Sequence, residues 1–212
     1  MLTILIVAVT TIISLLTMQN NAVKNRFMFN AYAISRHREW WRFFTHGFLH
    51  GDYLHLIFNM LALYSFGRVV ELLFDDRFGV IKGELLFLLL YATSLVASSA
   101  VTYFRQRDNM YYNALGASGA VLAVIFATIL FRPGAGITFY IIPLPGWLFG
   151  ILFLVASWLL SRYNPGFLGN VAHEAHFFGA VWGFFFPCAF DPTLFHDFIL
   201  QPKEMFYGVP MY

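Results

Sequence analysis

Residues 85–104 read LLFLLLYATSLVASSAVTYF, twenty residues without a charge. A helix needs about 20 mostly apolar residues to cross the hydrocarbon of a bilayer, so this run is predicted to span a membrane. Five further segments read the same way on either side of it. They are residues 2–18, 52–74, 113–131, 146–161 and 171–190. The composition agrees. Of 212 residues, 59% are hydrophobic, 20% aromatic and only 11% charged, where a soluble domain carries about a quarter charged. So few charges exclude a soluble globular domain, a disordered chain and a nucleic-acid binder with a basic face. The expectation is a single all-α, polytopic membrane domain over residues 1–212, a bundle of six transmembrane helices.

The first segment has no basic residue before Lys24, and Met18-Gln19-Asn20-Asn21 is a poor cleavage site, so it reads as a retained anchor rather than a signal peptide. The loop after it, residues 20–51, is long and carries Trp40, Trp41 and several basic residues. Such a loop is expected to be structured or functional and to sit at the interface. Pro133-Gly134 and Pro143-Leu144-Pro145-Gly146 stop the helices around the fourth loop. Residues 162–170, with Asn164-Pro165-Gly166, and the fifth span before them are expected to move most readily. The arginines and lysines of loops one, three and five favour the cytoplasmic side for those loops. One cysteine, Cys188, excludes an intrachain disulfide.

Polar residues inside spans are costly, so each is a functional candidate. They fall into three groups. His55 and Asn59 lie four apart and share a helix face; both can donate hydrogen bonds, which suits a developing oxyanion or an interhelical contact. Ser118 lies between Gly116-Ala117 and Gly119 at the start of a span. Small neighbours allow close approach, and a helix N-terminus offers unpaired N–H groups and a positive dipole end. In the sixth span Gly179 and Gly183 form a G-x-x-x-G face, from which His176 also projects. If that face meets the helix of Ser118, the imidazole reaches the hydroxyl and a serine–histidine dyad results. A rival reading is metal binding, from His46 and His50 at i, i+4 and His173 and His176 at i, i+3.

Together these groups resemble the rhomboid intramembrane serine proteases, over about residues 39–183. Trp41-Arg42 is similar to the W-R pair of the family's first loop. His46, His50, His55 and Asn59 match its H-x3-H-x4-H-x3-N run, followed by Gly67 and Glu71. Gly116-Ala117-Ser118-Gly119 matches the G-x-S-G motif, and Ala175-His176 with Gly179 and Gly183 matches A-H-x-x-G-x-x-x-G.

The resemblance implies Ser118 as nucleophile, His176 as general base and acid, and an oxyanion hole of His55, Asn59 and the Ser118 N–H. It implies Trp41 and Arg42 as braces of the first loop, with Gly116, Gly119, Gly179 and Gly183 as structural supports. Substrates would be transmembrane proteins with small or helix-weakening residues near the cut. No cofactor and no metal is needed, and the location would be a bacterial cytoplasmic membrane, with the termini in the cytoplasm. That last point opposes the charge bias. A protein that binds membrane helices without cutting them is the non-enzyme alternative. Two features depart from the family. The tyrosine that stacks on the histidine in many bacterial members is Leu122 here, with Phe177 or Phe178 as candidates to stand in. His173 is an additional histidine one turn before His176.

Overall fold

The computed structural model describes residues 1–139, 142–163 and 172–206; most of the stretch 162–170 read above as mobile, and the start of the sixth segment at 171, lie outside them. Among the described residues ten α-helices run in order: α1 (Leu2–Met18), α2 (Asn21–Phe27), α3 (Ala31–His37), α4 (Arg42–Thr45), α5 (Tyr53–Phe78), α6 (Val80–Gln106), α7 (Ser118–Phe131), α8 (Gly146–Tyr163), α9 (His173–Phe185) and α10 (Thr193–Phe206). Two strands, β1 (Gly136–Phe139) and β2 (Ile142–Pro145), pair antiparallel between α7 and α8. This hairpin occupies what reads in the sequence as a plain loop.

The bundle is built around α7, which is buried along almost its whole length and packs against α5, α6 and α9. Its neighbours turn large apolar side chains outward instead. On α1, Ile4, Leu5, Ile12, Leu15 and Leu16 are exposed while Thr3, Thr10 and Ser14 are buried. On α5, Leu54, Ile57, Phe58 and Leu61 are exposed. In water this arrangement would be unstable. In lipid it is expected, because tails solvate leucine as well as a protein core does, and small polar residues let helices approach. The protein is an integral membrane protein.

Among the described residues three helices, α5, α6 and α8, are long and apolar enough to cross a bilayer on their own, and α9 with the short turn that follows it (Pro187–Ala189) forms a bent pair with α10 at 115°. α1 and α7 are apolar but shorter. With 14 residues, α7 rises about 21 Å against about 30 Å of hydrocarbon. At least one of its ends therefore lies within the hydrocarbon depth, where unpaired backbone groups need protein or water as partners. The sequence reads six comparable spans; the fourth, read as 113–131, is in the structure the 14-residue α7, surrounded by other helices rather than by lipid.

Candidate active site

Ser118 is the first residue of α7, half-buried, with Ala117 as N-cap and no side chain capping the helix. The first helical bond near it runs from the Val121 N–H to the Ala117 carbonyl (2.9 Å), so the N–H groups of the first turn lack partners within the helix. Gly116 has φ +121°, a conformation that side chains rarely adopt, and an added Cβ would lie 2.7 Å from His55 Cε1. The chain reaches Ser118 in this way only because residue 116 is glycine. The Gly116 N–H donates to the His46 carbonyl (3.0 Å), which ties the serine turn to the first loop.

His176 arrives from α9. Its Nε2 lies 2.8 Å from Ser118 Oγ. Two contacts bring it there. A Cβ on Gly179 would overlap the Gly119 carbonyl, and one on Gly183 would overlap the backbone of Ala123, so α9 and α7 touch backbone to backbone. At the start of α9, Glu174 accepts from Thr102 Oγ1 (2.9 Å) and pairs with Arg105, both on α6. Gly119 in turn faces Ser98, 2.5 Å from where its Cβ would be.

His55 lies on the first turns of α5, which Asp52 caps by accepting from the His55 N–H (2.8 Å). Asn59 is buried, and its Nδ2 donates to the His55 carbonyl (2.9 Å). One amide hydrogen of Asn59 is thereby used inside α5, leaving a second to donate elsewhere. Beside Ser118 a cavity of about 30 Å³, bordered by His46, Ser98, Thr102, Gly116 and Ala175, has room for a water molecule.

Several neighbours are not apparent in the sequence. The ring next to His176 is Phe153 of α8 (centroids 6.5 Å apart), which also meets Phe126 and Phe149. Phe177 instead contacts Trp158 and Phe178, because its position on α9 turns it toward α8 rather than back to the site. Leu122 is buried in α7. His173 is buried and meets His176 edge-on (6.3 Å). In the first loop Arg42 is buried, pairing with Glu39 (2.5 Å) and donating to the carbonyls of Asn25 (3.0 Å) and Met28 (2.8 Å). Nearby in the same loop, Trp40 stacks on Phe43 (centroids 6.2 Å apart). Trp41 is 45% exposed, and its side chain makes no ring or hydrogen-bond contact among the described residues.

Among the described residues the two spaced histidine pairs do not come together as one cluster of ligands. The helical turn that would align His46 and His50 stops at Phe48, and among the described residues no group of three His, Cys, Asp or Glu side chains is placed to hold a metal ion. His50 instead bonds Ser14 on α1 (Oγ to Nδ1, 2.8 Å) and sets its ring edge-on to His55 (4.9 Å). Burial pushes His46 down to about 4. Burial, helped by His55 and opposed by Asp52, pushes His50 down to about 3.

Both histidines are thus held neutral in the fold, while the unfolded chain protonates near 6.5. Their stabilising effect is full above pH 6.5 and is lost as pH falls toward 4. At pH 5 each is expected to cost roughly 2 kcal/mol of stability. Thermal unfolding in detergent at pH 7.5 and pH 5 measures this loss, and His50→Gln should flatten the dependence.

A family comparison matches residues 37–190 to the rhomboid domain. The chain belongs to the rhomboid family. Among curated proteins, this rhomboid is 32% identical over 145 residues to RHOMBOID-like protein 12, mitochondrial, of Arabidopsis thaliana, covering 65% of this chain and 42% of that one. It is 28% identical over 153 residues to the putative rhomboid protease YdcA of Bacillus subtilis (69% and 65% covered). It is 30% identical over 148 residues to the rhomboid protease GlpG of Haemophilus influenzae (69% of each). The matches thus span from about two fifths to about two thirds of the length of these relatives.

Proposed function

We propose that this rhomboid is an intramembrane serine endopeptidase that cuts transmembrane proteins in or near their helices. The observation that carries the reading is the 2.8 Å contact between Ser118 Oγ and His176 Nε2, within the range of a nucleophile and its base. His176 takes the hydroxyl proton as Ser118 Oγ attacks the scissile carbonyl carbon. The oxyanion is held by His55, Asn59 and the Ser118 N–H. His176 then protonates the leaving amine, and water, deprotonated by the same imidazole, releases the acyl group from Ser118.

Peptide bonds in a helix already have their carbonyls hydrogen-bonded, so a substrate helix must unwind to be cut. Small or helix-weakening residues near the cleavage site favour that. The bacterial relatives support a bacterial cytoplasmic membrane as the location.

A serine-directed fluorophosphonate tests the reading. Labelling of the folded protein that disappears in Ser118→Ala is the expected outcome. Absence of labelling, with binding of membrane helices retained, would favour a non-cleaving protein. Asn59→Ala is expected to slow cleavage by about 10²-fold with the fold kept, the scale of losing one oxyanion donor. Turnover equal to wild type would remove Asn59 from the mechanism.

A further inference from the structure

A second, larger cavity lies away from Ser118. Its volume is about 480 Å³, and its walls include Phe126 and Ile129 of α7, Trp147, Gly150 and Leu154 of α8, and Phe184 of α9. Phe126 and Ile129 are eight and eleven residues along α7 from Ser118, so the cavity lies about 12–16 Å down the helix from the serine. It is not a subsite for the bond being cut. Ile151, Phe185 and Phe195 also border it and are exposed, so it opens sideways onto the lipid-facing surface.

Its dimensions select the occupant. A helix with side chains is about 10–12 Å across and would fill 480 Å³ with about one turn. A protein helix therefore does not fit, whereas a slender flexible hydrocarbon does. The polar end of such a ligand has a counterpart. Arg132 follows α7, three residues beyond Ile129, and the next carbonyl, Pro133, accepts from the N–H of Trp147 (2.8 Å). The nearby cation Arg77 is already committed to Asp191 (2.6 Å), Asp197 and Thr193. The Arg132 side chain has no partner among the described residues. It is exposed, and the bond from Trp147 holds the next residue against the cavity wall, so an anion there would meet an uncompensated charge.

We propose that this cavity holds one acyl chain of a membrane phospholipid, with its anionic headgroup at Arg132. The test titrates the delipidated full chain in detergent with phosphatidylglycerol brominated in its acyl chains. Trp147 fluorescence is isolated by subtracting the signal of Trp147→Phe. Quenching is expected to saturate near one lipid per chain, and native mass spectrometry should count the same stoichiometry.

Gly150→Leu and Ile151→Phe fill the space from two sides and should each weaken binding at least about tenfold. An added Cβ at Gly150 meets only ordinary contacts, the nearest 3.5 Å away, and Ile151 faces outward, so at least one variant should fold, as circular dichroism will show. Arg132→Gln should weaken phosphatidylglycerol binding and leave phosphatidylcholine binding unchanged. Quenching that climbs in proportion to lipid without saturating overturns the proposal. So does unchanged affinity in a folded cavity-filling variant, or a stable dimer in which a second copy closes the cavity.

Discussion

Ser118→Ala is expected to abolish cleavage of a single-span substrate in liposomes, a loss of roughly 10⁴–10⁶-fold. The argument rests on position more than on residue type. Ser118 begins α7, where first-turn N–H groups lack helical partners, and its Oγ lies 2.8 Å from an imidazole delivered by another helix. A hydroxyl at the first without the second would be a poor nucleophile. His176→Ala should therefore cost about as much. The double variant should be no slower than either single one, because residues that act as a unit lose their contribution together. Cleavage that persists in folded Ser118→Ala would sink the mechanism. A double variant much slower than both singles would show that serine and histidine act separately.

Gly183→Val is expected to cost roughly 4 kcal/mol or more of stability, at the severe end for single substitutions. Even the first added carbon would fall on Ala123 backbone atoms. Backbone cannot move aside as a side-chain tip can, so α9 must separate from α7. Separation also carries His176 away from Ser118, since both contacts lie on the same helix pair. A displacement of about 1 Å can cost about 10²-fold in rate. Gly183→Ala should thus lose activity even where it still folds. Gly136→Ala is the control, because nothing lies within 4 Å of its added Cβ. Equal melting temperatures for wild type, Gly183→Val and Gly136→Ala would refute the close-packing account.

Charge-free runs and the order of short polar motifs were enough to read this chain as an all-α membrane protein and to pick out Ser118, His176, His55 and Asn59. Those residues are conspicuous because so little around them is polar. The same apolar background hides the rest. Phe153 is one phenylalanine among 26, and only the rotation of α8 shows that it meets His176. Trp40 and Trp41 are neighbours in sequence and both exposed, yet only Trp40 stacks on another ring among the described residues. Ser14 and His50 are 36 residues apart and meet only because α1 packs beside the first loop.

In water, amphipathicity marks the inward face of a helix. In lipid that signal fades, because both environments favour apolar side chains. The sequence by itself therefore determined the class of fold and a short set of candidate residues. Only the tertiary structure decided which faces meet, because backbone contacts such as Gly183 on Ala123 and Gly179 on Gly119 set helix rotation where hydropathy does not.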